Sequence, residues 1–144
     1  MTTTKSRTRT VIRADGEVIA TGVSPQRASS IAMKLGAIPA GVYVCTGDAA
    51  DAKAAMARIA LHAAVAHRTE LVQVAEATAT PDAHRAAWAA VEVADREVRF
   101  AAQAHEMAVR ASMPGAAAAD VMAAARARWA AAHDWPTTWP TWRR

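Results

Sequence analysis

The order of apolar and polar positions divides the chain into two parts of different character. In residues 10–47, short β-branched runs alternate with glycine, proline and aspartate, which is typical of strands and turns. Residues 48–134 are rich in alanine, and residues 81–112 carry apolar residues at helical spacings. The pattern predicts an α+β fold that is predominantly helical, with a small N-terminal ββαβ unit followed by two to three long alanine-rich helices.

The strongest local signal is a β-hairpin around Asp15-Gly16. β-Branched residues lie on both sides of this pair, in residues 10–13 and 17–21. An Asp-Gly pair between such runs predicts a tight type I′ turn, because that turn needs positive φ at both central residues. A two-stranded hairpin is only marginally stable alone, so we expect it to pack against another element.

A short helix and a third strand complete the predicted N-terminal unit. Ser24-Pro25 predicts the cap and the first residue of a helix over residues 25–35, which Gly36 ends. Residues 42–45 predict the third strand. The expected inner face of the helix consists of Ala28, Ile31, Ala32 and Leu35.

The remainder of the chain predicts helices and an extended tail. Residues 49–79 are helical by composition, with a possible break near His67-Arg68-Thr69. Thr80-Pro81 opens a helix that runs to about residue 112, and a last helix is expected over residues 116–133. Residues 135–144 combine three tryptophans with two prolines, which indicates an extended tail.

The helix predicted from residue 81 has one charged stripe and one broad apolar side. Val93, Phe100 and Met107 form one edge of that apolar side, and a row of alanines runs beside them. Such a row lets another helix approach closely, although Glu97 interrupts it. The residues expected at this helix-packing interface are Trp88, Val91, Ala94, Val98, Ala101, Ala104 and Ala108.

Composition strengthens the expectation of helix pairing. Of the 144 residues, 41 are alanine, and only 5 % are aromatic. Alanine favours helices but buries little area per residue, so the core is expected to be thin. Such a chain gains stability by pairing with a partner or with itself. Trp135 and Trp139 offer a further alternative, since they could fold back over the alanine row.

The distribution of charge suggests one candidate contact with nucleic acid. The net charge is +4, and residues 1–47 hold six basic residues against two acidic ones. Residues 1–9 form a basic arm that is expected to be disordered in isolation. Basic side chains interspersed with hydroxyls suit phosphate contact, and a solvated basic tail is the alternative. The candidate contacts are Lys5, Arg7, Arg9, Arg13, Arg27 and Lys34.

Few residues suggest catalysis. Cys45 precedes a predicted helix start, where a helix dipole can activate a thiol, but no histidine lies nearby in sequence and a buried strand cysteine is an ordinary packing residue. Asp48 and Asp51 are expected to cap that helix. The five histidines lack the spacing of a helical zinc motif, so no metal and no cofactor are expected.

Three hypotheses of function follow. The first is a cytoplasmic, non-enzymatic accessory protein that binds nucleic acid or a nucleoprotein partner. Heavy use of alanine and arginine suggests a GC-rich genome and, by association, a plasmid or phage. The second is an assembly protein that oligomerises through its helices. The third is a small enzyme with a site near Cys45. No segment approaches the length of an apolar membrane span.

Overall fold

The computed structural model describes residues 8–131. It is mainly helical, with a small antiparallel sheet that precedes long helices, as the sequence predicts. Residues 1–7 of the predicted arm and the predicted tail at residues 135–144 lie outside the described residues. The elements are β1 (Arg9–Arg13), β2 (Val18–Val23), α1 (Pro25–Lys34), a 3₁₀ turn (Ile38–Ala40), β3 (Val42–Thr46), α2 (Ala49–Ala77), α3 (Pro81–Ser112) and α4 (Ala118–Ala131).

The described residues form two compact units. One contains residues 8–57 and 108–116, and the other contains residues 58–107 and 117–131. No helix within residues 8–131 is both long and apolar enough to cross a membrane.

Strand β1 is the centre of the first unit. The sheet order is β2-β1-β3, and both neighbours pair with β1 in antiparallel orientation. Successive side chains of a strand point to opposite faces, and both faces of β1 are covered. Val11 packs with Ala28 and Ala32 of α1, whereas Ile12 packs with Ala52 near the start of α2. Burying each of these two strand side chains contributes about 1.5–3 kcal/mol.

The hairpin forms at Asp15-Gly16, but its turn differs from the predicted type I′. The Gly16 N–H donates to the Arg13 carbonyl (2.9 Å), and the Arg13 N–H donates to the Glu17 carbonyl (2.8 Å). Only Gly16 has a positive φ in this loop (+96°). This geometry is a three-residue loop, in which a type I turn precedes a left-handed glycine. The Asp15 carboxylate accepts from the Glu17 N–H (2.9 Å), so aspartate stabilises the turn without adopting positive φ.

Helix α1 begins where predicted, and its end explains one error. The Ser24 hydroxyl accepts from the Arg27 N–H (3.2 Å) and caps the helix. Ala28 and Ala32 are buried, and Ile31 packs beside them, as predicted. Leu35 was expected to face inward but is 38 % exposed. Leu35 is the C-terminal cap, so the chain turns away from the helical path at this residue.

Helix α2 opens with a reciprocal cap. The Asp48 carboxylate accepts from the Asp51 N–H (3.0 Å), and the Asp51 carboxylate accepts from the Asp48 N–H (3.1 Å). Gly47 makes room for this arrangement, because a Cβ at residue 47 would overlap the Asp51 carboxylate. Both aspartates are therefore engaged in holding the helix start.

Helix α2 is continuous through His67-Arg68-Thr69, where the sequence predicts a break as one alternative. The Thr69 hydroxyl donates to the Val65 carbonyl one turn earlier (3.0 Å), so the threonine is satisfied inside the helix. Arg68 forms an ion pair with Asp95 of α3. Both polar residues thus have partners that are compatible with a continuous helix.

We predict that Gly47→Ala lowers the free energy of unfolding by about 2–4 kcal/mol, because it combines left-handed strain with loss of the Asp51 cap. Gly47 has a φ of +97° and crowds Asp51. Gly22→Ala is the matched control, since Gly22 has a φ of +70° and no neighbour within 4 Å. The control should cost only the strain, about 1–2 kcal/mol. Urea unfolding of both variants measures the difference, and equal losses would contradict the proposed role of the cap.

Candidate interaction site on helix α3

The second unit contains an antiparallel pairing of α2 with α3. Val72 and Ala75 pack with Val91, and Leu61 and Val65 pack with Val98. A step of seven residues forward along α2 is therefore matched by seven residues backward along α3. The α2 positions of this seam have alternating spacings of three and four, as in a coiled coil. They are Arg58, Leu61, Val65, Arg68, Val72 and Ala75.

An ion pair lies within this seam. The Arg68 guanidinium donates to the Asp95 carboxylate, and their side chains are 12 % and 33 % exposed. Partial burial strengthens the attraction between the charges but also removes hydration from both groups. Each charge therefore needs the other, which favours the register that brings them together.

A second apolar row of α3 remains exposed. Val93 is 47 % exposed, Phe100 is 74 % exposed and Met107 is 64 % exposed. These residues are seven positions apart, so they fall on one side of the helix. Smaller or polar residues alternate with them at intervals of three and four. We call the whole row the α3 stripe; it consists of Ala86, Ala90, Val93, Glu97, Phe100, Ala104 and Met107.

The alignment of these exposed residues distinguishes them from ordinary surface residues. Single exposed apolar side chains are common and need no explanation, whereas a continuous apolar patch marks an interaction surface. Beside Phe100 there is also an open hollow of about 240 Å³, which is lined by Arg96, Arg99, Phe100 and Gln103. This hollow offers space for a side chain from a partner.

The structure distributes the predicted helix-packing residues between two environments. Val91, Ala94 and Val98 are buried, and Trp88 and Ala101 are partly buried against neighbouring apolar residues. Ala104 is exposed on the α3 stripe, and Ala108 is half-buried in the first unit. Most of this set thus serves packing within one chain. The seven-residue spacing of Val93, Phe100 and Met107 was the available signal for a second face.

The predicted nucleic-acid contacts are only partly described. Lys5 and Arg7 lie outside the described residues. Arg9 is on β1, where its Nη1 donates to the Thr8 carbonyl (3.1 Å). Arg13 pairs with Glu17 (3.0 Å) at the other end of the same strand. The structure therefore does not gather these two arginines at one point.

Two further predicted contacts lie on α1. Arg27 and Lys34 are exposed, and they are seven residues apart on the same side of the helix. Arg9, Val11 and Arg13 are every second residue of β1, so their side chains point to the same face of the sheet. Helix α1 covers that face, because Val11 packs against Ala28 and Ala32. The four described cations thus belong to one side of the first unit.

Cys45 lies in an apolar environment. It is 9 % exposed and packs in the cluster that contains Ile12 and Ala52. Within residues 8–131, no group of three potential metal ligands comes together. Burial of this kind restricts the access of a reagent or substrate to the thiol.

The environment of His105 is unusual and was not predicted from the sequence. The ring is 3 % exposed, and its Nε2 has no hydrogen-bond partner among the described residues. Burial lowers the pKa of His105 below its ordinary value of 6.5, and the charges of Arg58 and Arg128 lower it further. Extending the α2–α3 register by seven residues from Val65 and Val98 independently places Arg58 opposite His105.

Taken together, these features define the chain as a small α+β protein whose long helix carries a second apolar face. Comparisons with protein-family models, with curated proteins and with solved structures found no match. Its function must therefore be inferred from its own surfaces.

We predict that His105 makes stability fall on acidification. As the pH falls through 6.5, the unfolded chain takes up a proton at this histidine before the folded chain does. The free energy of unfolding therefore decreases until the pH has fallen below the lower pKa of the folded state. The variant His105→Gln should flatten the part of the profile that lies below the ordinary histidine pKa of 6.5. Thermal unfolding across this range measures it.

His84→Gln provides the control, because His84 is exposed on the same helix. It removes a histidine from α3 but leaves His105 in place, so it separates the effect of the buried ring from that of losing any histidine. A profile that is equally steep in wild type and in His105→Gln would show that other groups cause the effect.

Proposed function

We propose that this protein is a non-enzymatic assembly protein that self-associates through the α3 stripe. The observation that carries the proposal is the exposed row of Val93, Phe100 and Met107, seven residues apart on one helix. The occupant we assign to this row is a second copy of the same row. An accessory role on a plasmid or phage would suit such a protein and stays part of the proposal.

The sizes of the side chains support pairing between two copies. In an antiparallel pair centred between Val98 and Arg99, Val93 faces Ala104 of the second copy, and Met107 faces Ala90 of the second copy. Large residues thus meet small ones along the row. Interdigitation of large and small side chains fills an interface without leaving voids.

Charge favours the antiparallel orientation. In a parallel pair, Glu97 would lie against Glu97 of the second copy, and like charges at one layer are destabilising. In the antiparallel pair, Glu97 instead faces Phe100 of the second copy. Arg96 of that second copy lies beside the Phe100 ring. The carboxylate then has a basic neighbour, and its aliphatic stem covers the ring.

Nucleic-acid contact is a second candidate function. Its support is the exposure of Arg27 and Lys34 on one side of α1, where neither forms an ion pair within the described part of the chain. Arg13 contributes less free charge, since Glu17 neutralises it. Contact would be electrostatic and would therefore depend on salt.

We predict that the wild-type chain dimerises and that Phe100→Glu weakens the dimer by at least about 2 kcal/mol, which is roughly thirty-fold in the dissociation constant. The substitution places charge where an apolar ring would be buried. Val74→Glu is the matched control, because Val74 is 57 % exposed on α2 and lies outside the stripe. Sedimentation equilibrium measures all three proteins.

Cross-linking tests the orientation of the two copies. In a Cys45→Ala background, the double variant Val93→Cys/Ala104→Cys should form a disulfide-linked dimer, whereas Val93→Cys alone should not. Efficient linking of the single variant would indicate a parallel pair. A monomeric wild type would overturn the dimer.

For the second candidate, we predict that affinity for duplex DNA falls steeply as salt rises. The double variant Arg27→Gln/Lys34→Gln should reduce the slope of log K against log salt by about 2, one for each lost phosphate contact. Arg13→Gln should change it less. Fluorescence anisotropy measures these slopes, and absence of binding at low salt would exclude this candidate.

A further inference from the structure

The hollow beside Phe100 gathers two basic side chains at one place on α3. It has a volume of about 240 Å³ and is lined by Arg96, Arg99, Phe100 and Gln103. All four residues are exposed, and no ion pair within residues 8–131 involves either arginine. Among the described residues, no acidic side chain lines the hollow. Two guanidinium groups are therefore available to an anionic ligand at this position.

The hollow lies on the flank of the α3 stripe that faces away from α2. Arg96 and Gln103 lie four residues before and three residues after Phe100, so helical periodicity places both on one flank of the stripe. Ala101 occupies the other flank, where it packs in the cluster that contains Leu61 of α2. The hollow thus stays accessible while α2 covers its own row of α3.

Self-association would bring two copies of this hollow together. The two copies of the antiparallel pair are related by a two-fold axis perpendicular to the plane of the two helices. Rotation about this axis keeps each flank on its own side of the pair. The axis passes between Val98 and Arg99, close to the middle of the residues that line the hollow. The two hollows therefore lie side by side across the axis and form one cleft.

The cleft carries an excess of positive charge. Each copy contributes Arg96, Arg99 and the carboxylate of Glu97, so four arginines face two glutamates. The next acidic residue on this flank, Glu92, lies about 10 Å from the axis along the helix. Like charges in close juxtaposition oppose association, and an anion between them removes this cost. The composite cleft therefore favours a ligand with at least two negative charges.

The uncharged members of the cleft indicate which anion fits. Arginines follow a phosphate backbone, and aromatic rings stack on bases, which a single nucleic-acid strand exposes. Phe100 supplies a ring, and Gln103 supplies an amide that can donate to and accept from base edges. An isolated phosphate would use neither group. We propose that a dimer of this chain binds a single nucleic-acid strand in the cleft formed by its two hollows.

This inference rests on the proposed self-association, and the two can fail separately. Sedimentation equilibrium without nucleic acid reports on self-association alone. A dimer that binds no single strand would overturn the cleft and leave the assembly proposal standing. A chain that is monomeric alone, but binds one strand per two copies, would overturn association through the stripe by itself and support the cleft.

The test is a fluorescence-anisotropy titration of a short labelled oligo(dT) strand with the full chain. One strand should bind per two chains. Arg99→Gln removes two cations from each cleft, so it should weaken binding at least about tenfold. It should also reduce the slope of log K against log salt by about 1.4. Arg85→Gln is the matched control, because Arg85 is an exposed arginine of the same helix that pairs with Asp82, and it should change neither value.

Two further measurements separate the cleft from general attraction between charges. Met107→Glu alters the stripe outside the hollow, so it should weaken strand binding in parallel with the dimer. Tripolyphosphate carries closely spaced phosphates without bases, so it should compete only weakly. Equal losses in Arg99→Gln and Arg85→Gln, or one strand bound per single chain, would overturn the proposal. Competition by tripolyphosphate at the affinity of oligo(dT) would also overturn it.

Discussion

The packing of α2 against α3 decides which surface of this protein is available to a partner. Helix α3 is apolar on two rows, and α2 covers only the row that contains Val91 and Val98. The row of Val93, Phe100 and Met107 remains exposed as a consequence. The same packing aligns Arg58 with His105, so the intrachain seam also sets the surroundings of that buried imidazole.

The two rows of α3 differ in the side chains that they present. The apolar residues buried on the inner row are valine and alanine, which are small enough to lie between two helices of one chain, and Asp95 and His105 are its polar members. The outer row alternates large side chains with alanine and Glu97, and it holds the one phenylalanine of the sequence, Phe100, which is 74 % exposed. Large residues at regular intervals leave recesses between them. A second copy of the same row in antiparallel orientation would place its large side chains in those recesses.

Much of the fold was predictable because local signals mark its boundaries. Thr80-Pro81 and the break at Met113-Pro114-Gly115 define α3, and Asp15-Gly16 marks the hairpin. The inner face of α2 was not predictable from hydrophobicity, because Arg58 and Arg68 occupy seam positions that a periodicity analysis expects to be apolar. Nor could the sequence decide which apolar row of α3 is covered, since that depends on the register with α2.

Polar residues within the apolar rows fix the register between α2 and α3. An offset of one heptad between α2 and α3 would place Arg68 beside Trp88 or Ala102 and deprive it of the Asp95 carboxylate. The cost of an unpaired, partly buried charge opposes such a slip, whereas small apolar residues alone would tolerate it. Glu97 would act in the same way between two copies, because it penalises the parallel alignment. In a chain built largely from alanine, a few charges therefore supply the specificity that side-chain shape cannot.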